Sequence, residues 1–164
     1  MEEGVPDGLL CPRWRDLHEE ADCQVWERKF PGLPTEAFLA RCWMRKILYS
    51  THFVTDGEFV AYAELVATEL FVNAIQHTAS GRESGRVLLA LAVSGRGVTV
   101  SVTDEGKADG LPRLKSSTGV SEGGRGLFFI DWLARRIVIH QAASGGSTVA
   151  ADLVSSDMPS EAMG

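Results

Sequence analysis

Only three residues, Gly95, Arg96 and Gly97, separate two strand-like segments, RVLLALAVS at 86–94 and VTVSVTD at 98–104. Both segments are rich in the aliphatic and β-branched residues that favour strands. So short a connection leaves no room for a crossover, and the two strands must therefore pair as an antiparallel hairpin.

Three further strands are predicted, one before this hairpin in the chain and two after it. RIVIHQ at 136–141 and STVAADLV at 147–154 lie around a turn at 143–146 and form a second hairpin. Nearer the N-terminus, CQVWERKFPG alternates polar and apolar residues until Pro31 and Gly32 stop the strand. Consecutive hairpins indicate a mixed sheet that is mostly antiparallel.

A first helix is predicted over LPTEAFLARCWMRKILYS, with Pro34 near its start. Its residues at helical period are Phe38, Cys42, Met44 or Arg45, and Leu48.

A second helix is predicted to begin after Asp56 as its N-cap and to end in the turn-rich segment TASGRESGR. A third runs from about Leu127 to Ala134. Because the helices are apolar on one side, all three should cover the same face of the sheet. The predicted fold class is therefore α/β (α+β), a two-layer sandwich.

A length of 164 residues with 45% hydrophobic residues suits one domain with a single core. We expect a poorly ordered arm at 1–22, one domain at 23–155 and a C-terminal tail at 156–164. The net charge of −6 argues against direct nucleic-acid binding, which depends on Lys and Arg neutralising phosphates.

Cysteine spacing and the N-terminal sequence indicate the compartment. Cys11, Cys23 and Cys42 are widely spaced and fit neither a disulfide framework nor a zinc site. The acidic N-terminus has no apolar run of signal-peptide or transmembrane length. We therefore expect a soluble, cytoplasmic protein that does not bind membranes.

The second helix carries polar residues beside its apolar stripe. In ELVATELFVNAIQHT, the apolar positions are Leu65, Val66, Leu70 and Ala74, while Glu69, Asn73 and His77 follow one another at intervals of four residues on a neighbouring face. Burying an amide or carboxylate without a partner costs about 1–3 kcal/mol. Either an internal hydrogen-bond network or a ligand must offset this cost.

A carboxylate is predicted at the end of the strand VTVSVTD. Alternation places Asp104 on the same side as Val98, Val100 and Val102, towards the helices. Asp104 either starts a turn or accepts a hydrogen bond from a buried donor such as an exocyclic amine. Gly106 would let the backbone pass close to a flat ligand.

A glycine-rich segment, SEGGRGLFFIDWLARR, leads directly into the third predicted helix. Gly123, Gly124 and Gly126 would leave free backbone N–H groups at the helix start, and Arg125 adds a positive charge. This pattern fits either a phosphate site or a flexible hinge. Neither a P-loop nor a dinucleotide-binding motif is present.

Four motifs in this order, ELFVNAIQH, DEG, GGRGL and GGSTVAADL, resemble the N box, G1 box, G2 box and last strand of the GHKL ATPase superfamily. More narrowly, the chain length and the segment FPGLPTEAFLARCWMRKIL resemble the small anti-sigma-factor serine/threonine kinases of that superfamily. The resemblance covers about residues 24–154.

The resemblance implies ATP and Mg²⁺ as cofactors. It assigns Mg²⁺ coordination beside the triphosphate to Asn73, and activation of the attacking hydroxyl or water to Glu69. Asp104 would accept from the adenine amino group, with Gly106 next to the base. The phosphates would lie against the G2 residues, Gly124, Arg125, Gly126 and Leu127.

The sequence departs from the family pattern at one position and leaves a choice between two residues at another. The last glycine of the usual Asp-x-Gly-x-Gly pattern is replaced by Ala108, which follows Lys107. The last-strand threonine that assists adenine recognition maps most naturally onto Thr148, with Ser147 on the opposite face as the alternative.

The resemblance implies two protein partners, a sigma factor and an anti-anti-sigma antagonist of the STAS type. Retention of Glu69 and Asn73 favours a kinase, whereas the altered G1 box favours a nucleotide-binding module that transfers no phosphate. Phe38 and Trp43 on the first helix indicate an apolar surface for a partner with a basic face, or for a homodimer.

Overall fold

The computed structural model describes residues 23–51, 56–95, 97–106, 134–141 and 145–154. The elements, in chain order, are β1 (Gln24–Pro31), α1 (Glu36–Ser50), α2 (Gly57–His77), a short 3-10 turn (Ala79–Gly81), β2 (Arg86–Ser94), β3 (Gly97–Thr103), β4 (Arg136–Gln141) and β5 (Ser147–Leu153). No helix within these ranges is long and apolar enough to span a membrane.

The five described strands form one sheet in the order β1-β2-β3-β5-β4, and every pair of neighbours is antiparallel. Both predicted hairpins are confirmed, because β2 pairs with β3 from Ser94 and Gly97 onward, and β4 pairs with β5. Pro31 is the last residue of β1, an edge strand, where its missing N–H is tolerated.

Strand alternation directs one face of the sheet towards the helices. The helix-facing side chains include those at odd positions of β2 and β5 and even positions of β3: Val87, Leu89, Leu91, Val93, Val98, Val100, Val102, Ala151 and Leu153. They form a single core cluster with the buried residues of α1 and α2. The two-layer sandwich is therefore confirmed, with two helices among the described residues.

Helix α1 buries one side against the sheet and α2. Its buried residues are Ala37, Ala40, Met44, Ile47 and Leu48. Of the predicted periodic positions, Met44 and Leu48 are buried, whereas Phe38 is 59% exposed, in agreement with its assignment to an outer apolar surface. The helix contains more apolar residues than one face can bury, and packing against α2 and the sheet selects among them.

Helix α2 begins as predicted, because the Asp56 carboxylate accepts a hydrogen bond from the Glu58 N–H at 2.9 Å. Val66, Leu70 and Ala74 are buried, but Leu65 is 41% exposed and does not belong to the apolar stripe.

The arm at 1–22, the tail at 156–164 and the third predicted helix up to residue 133 lie outside the described residues. Ala134 is described and is not helical.

The orientation of α1 yields a direct prediction of stability. Met44→Ala should lower the free energy of unfolding by about 2–5 kcal/mol, because Met44 is fully buried. Phe38→Ala should cost no more than about 1 kcal/mol. Its ring is exposed, and the aromatic contact that it makes among the described residues is with the Arg41 guanidinium. Chemical denaturation of both variants measures the difference, and equal costs would mean that α1 is rotated from this position.

Candidate functional site

Helix α2 presents two polar side chains one turn apart at the edge of the core. Glu69 and Asn73 are both half-buried, whereas His77 at the end of the helix is exposed. This arrangement follows from their spacing of four residues, which places them on the same side of a helix. The structure thus brings Glu69 and Asn73 together and leaves His77 in solvent.

The Asn73 amide nitrogen is buried and has no hydrogen-bond partner among the described residues. An unpartnered amide in a protein interior is costly, by about 1–3 kcal/mol. A polar ligand would offset that cost. The amide also has an oxygen, the type of ligand atom that Mg²⁺ prefers, so Asn73 fits one coordination position.

A magnesium ion at Asn73 would need further oxygen ligands from elsewhere. Within the described ranges, no group of three or more His, Cys, Asp or Glu side chains is arranged to hold a metal ion. Mg²⁺ in proteins commonly retains waters and binds phosphate oxygens together with one or two protein ligands. A single oxygen ligand from Asn73 therefore fits a magnesium ion that is bound together with the phosphates of a nucleotide.

The Asp104 carboxylate joins the end of β3 to the start of β5. As predicted, Asp104 is buried on the helix side, with 8% of its surface exposed. Its Oδ1 accepts from the Gly106 N–H at 2.7 Å and from the Ser147 N–H at 3.2 Å. Its Oδ2 accepts from the Ser147 hydroxyl at 2.7 Å. These three donors stabilise a charge that burial would otherwise disfavour.

Gly106 has a structural reason to be glycine. Its φ of +86° lies in the left-handed region, and a Cβ there would lie 2.2 Å from the Gly145 carbonyl oxygen. Close packing of two backbone segments therefore requires this glycine, independently of any ligand that approaches it.

The two candidate hydroxyls at the start of β5 lie on opposite faces of the sheet. Ser147 is buried on the helix side and bonds to Asp104. Thr148 points to the other face, where its Oγ1 lies 2.7 Å from Thr103 Oγ1. Of the two, Ser147 is the one that contacts Asp104.

Strand parity could have identified Ser147 from the sequence. Ser147 alternates in phase with Val149, Ala151 and Leu153, the apolar residues of β5 that pack against the core. The family pattern favoured a threonine and therefore pointed to Thr148.

The G2 residues, Gly124, Arg125, Gly126 and Leu127, lie outside the described residues, as do Lys107 and Ala108 of the altered G1 box. The described part of the site therefore consists of the α2 face and the Asp104 turn.

Comparison with known proteins identifies the domain. Residues 30–152 match the histidine kinase-like ATPase domain. The chain belongs to this family. It is also similar to the serine-protein kinase RsbW of Oceanobacillus iheyensis, with 24% identity over 124 residues, which span 70% of this chain and 77% of that protein. Membership in an ATPase domain family implies ATP binding.

Removal of each hydroxyl should separate the roles of the two β5 residues. Ser147→Ala deletes one donor that orients Asp104, and we expect ATP affinity to fall about three- to tenfold because the free protein would hold the carboxylate less firmly in the binding orientation. Thr148→Ala, on the other face, should stay within about twofold of the wild type. Calorimetric titration of both variants provides the comparison, and a larger loss with Thr148→Ala would restore Thr148 as the nucleotide contact.

Proposed function

We propose that this protein is an ATP-binding, cytoplasmic anti-sigma factor. It sequesters a sigma factor and phosphorylates a Ser or Thr of an anti-anti-sigma antagonist of the STAS type. The main support is Asn73, whose buried amide nitrogen has no partner among the described residues and which lies one turn from Glu69 on α2. The family match and the similarity to a protein named as a serine-protein kinase support the same reading.

The hydrogen-bond count at Asp104 supports adenine recognition. A carboxylate has about four acceptor positions. The described donors use two on Oδ1 and one on Oδ2. One acceptor position on Oδ2 therefore remains for the exocyclic amino group of adenine. Guanine carries a carbonyl oxygen at that position, so the same carboxylate would disfavour GTP.

Glu69 would act on the protein substrate. Its carboxylate would accept the proton of the substrate hydroxyl as that oxygen bonds to the γ-phosphorus and the bond to ADP breaks. Asn73, one turn later, would orient the triphosphate through the metal. Mg²⁺, when bound, would neutralise charge on the phosphate oxygens. Gly124, Arg125, Gly126 and Leu127 would complete the phosphate site, as the family resemblance implies.

The outer side of α1 is the proposed partner surface. Phe38 and Tyr49 are 59% and 56% exposed. Trp43 does not contribute as expected, because its ring is half-buried and packs edge-on against Phe30 with the ring centroids 6.0 Å apart. Exposed aromatic residues are common at protein interfaces. A homodimer through α1 would use the same surface, and the edge strand β1 is the other predicted route to a homodimer.

A nucleotide-binding module without phosphotransfer is the second candidate. The replacement of the last G1 glycine by Ala108 favours it. Such a protein would still bind ATP through Asp104 and would switch its affinity for the sigma factor with nucleotide state.

Phosphotransfer distinguishes these candidates. Glu69→Gln should lower the rate of antagonist phosphorylation by about 10²–10⁴-fold, because the general base is lost. ATP affinity should stay within about threefold, because Glu69 would act on the hydroxyl. Glu58→Gln, an exposed position on the same helix, is the matched control and should retain both properties. Labelled ATP with the candidate antagonist gives the rate, and a wild type that binds ATP but transfers no phosphate would establish the second candidate.

Bound nucleotide should also control the affinity of the protein for the sigma factor. Asp104→Asn introduces a donor opposite the adenine amino group, which should weaken ATP binding by about 2 kcal/mol, or roughly 30-fold. Ser147 can rotate its hydroxyl to accept from the new amide, so the variant should fold. Immobilised wild type should retain the sigma factor only with Mg·ATP and less strongly at high salt, whereas Asp104→Asn should lose most retention. Equal retention without nucleotide would contradict the proposed switch.

A further inference from the structure

We infer that Ser80 is a positioning residue that sets the adenine end of the site relative to helix α2. The inference rests on the proposed nucleotide binding. Ser80 lies in the 3-10 turn Ala79–Gly81, directly after the helix that carries Glu69 and Asn73, and none of its surface is exposed.

Two hydrogen bonds connect this turn to the segment that contains Asp104. The Ser80 hydroxyl oxygen accepts from the Glu105 N–H at 2.9 Å. The Ala79 N–H donates to the Gly106 carbonyl oxygen at 2.8 Å. The end of α2 and the Asp104 turn are thus linked in both directions, although 25 residues separate Ser80 from Glu105 along the chain.

Ser80 is also held from the helix side. The Thr78 hydroxyl donates to the Ala74 carbonyl oxygen at 2.6 Å and accepts from the Ser80 N–H at 3.1 Å. Thr78 is therefore bonded both to the last turn of α2 and to the turn that follows it.

Backbone packing limits movement of the turn in the remaining directions. A Cβ at Gly32 would lie 1.6 Å from the Ser80 carbonyl oxygen, and one at Gly85 would lie 2.2 Å from the same atom. Gly32 and Gly85 are themselves linked by a hydrogen bond of 2.9 Å. The carbonyl of Ser80 is thus packed against the end of β1 and the start of β2.

These contacts give the Ser80 hydroxyl a specific role. The main chain of the turn is held by α2, β1 and β2, so the hydroxyl can act as a fixed acceptor for Glu105. Glu105 lies between Asp104 and Gly106, and its N–H orientation determines the path of that short segment. Ser80 therefore positions the segment that carries Asp104 relative to the end of α2, and hence sets the distance between the proposed adenine and phosphate contacts.

The test is Ser80→Ala, which removes the acceptor and leaves the turn otherwise unchanged. We expect ATP affinity to fall about three- to tenfold, because the free variant would hold the Asp104 segment in the binding orientation for less of the time, and the ratio of ATP to GTP affinity to fall with it. The Glu105 amide should exchange its hydrogen faster in the absence of nucleotide. Calorimetry and hydrogen exchange provide the two readouts.

The matched control is Thr51→Ala. Its buried hydroxyl donates to the Leu48 carbonyl oxygen at 2.8 Å and caps the end of α1. This variant should lower Tm as Ser80→Ala does, yet keep the wild-type affinity ratio. If Ser80→Ala does not fold, Ser80→Cys replaces it, because a thiol fills the space but accepts hydrogen bonds weakly.

The outcomes distinguish failure of the positioning role of Ser80 from failure of the proposed ATP binding. A Ser80 variant that loses thermal stability but keeps the wild-type ATP affinity and ATP-to-GTP ratio would overturn the positioning role alone. A wild type that binds no ATP would overturn the proposed function and the role of Ser80 with it.

Discussion

The buried charge of Asp104 is the constraint around which the described site is arranged. A carboxylate with 8% exposure needs donors, and it obtains three from two residues on different elements. Each hydrogen bond to a charged group contributes about 1.5–3 kcal/mol. The same bonds hold the end of β3 against the start of β5, so the stability of this corner of the sheet and the orientation of the acceptor have one origin.

Helix α2 differs from the Asp104 turn, because the buried amide nitrogen of Asn73 lacks a hydrogen-bond partner among the described residues. Among the described residues, the hydrogen bonds around Asp104 leave one acceptor position open, and the buried Asn73 nitrogen has no partner. Unsatisfied polar groups in native proteins often mark sites where a ligand completes the network. Under the proposed function, the adenine contact at Asp104 would be preorganised by hydrogen bonds, and the phosphate end at Asn73 would be completed only on binding.

The sheet and the two described helices were predictable because their signals are local. A connection of three residues forces a hairpin, and Asp56 caps α2 through an N–H two residues away. The buried face of α1 was only partly predictable, because the helical period left Met44 and Arg45 as alternatives and included Phe38 together with Leu48. The difference lies in the surroundings, since α2 and the sheet offer space to Met44 and leave Phe38 in solvent.

By itself, the sequence determined the order of the strands, helices and family motifs, and the placement of Asp104 on the helix side of β3. The tertiary structure decided which distant residues meet, namely Ser147 with Asp104 and Ser80 with Glu105. Periodicity within one segment assigns each side chain to a face of that segment. The rotation of a helix and the juxtaposition of turns depend on packing between residues far apart in the chain, which no local pattern records.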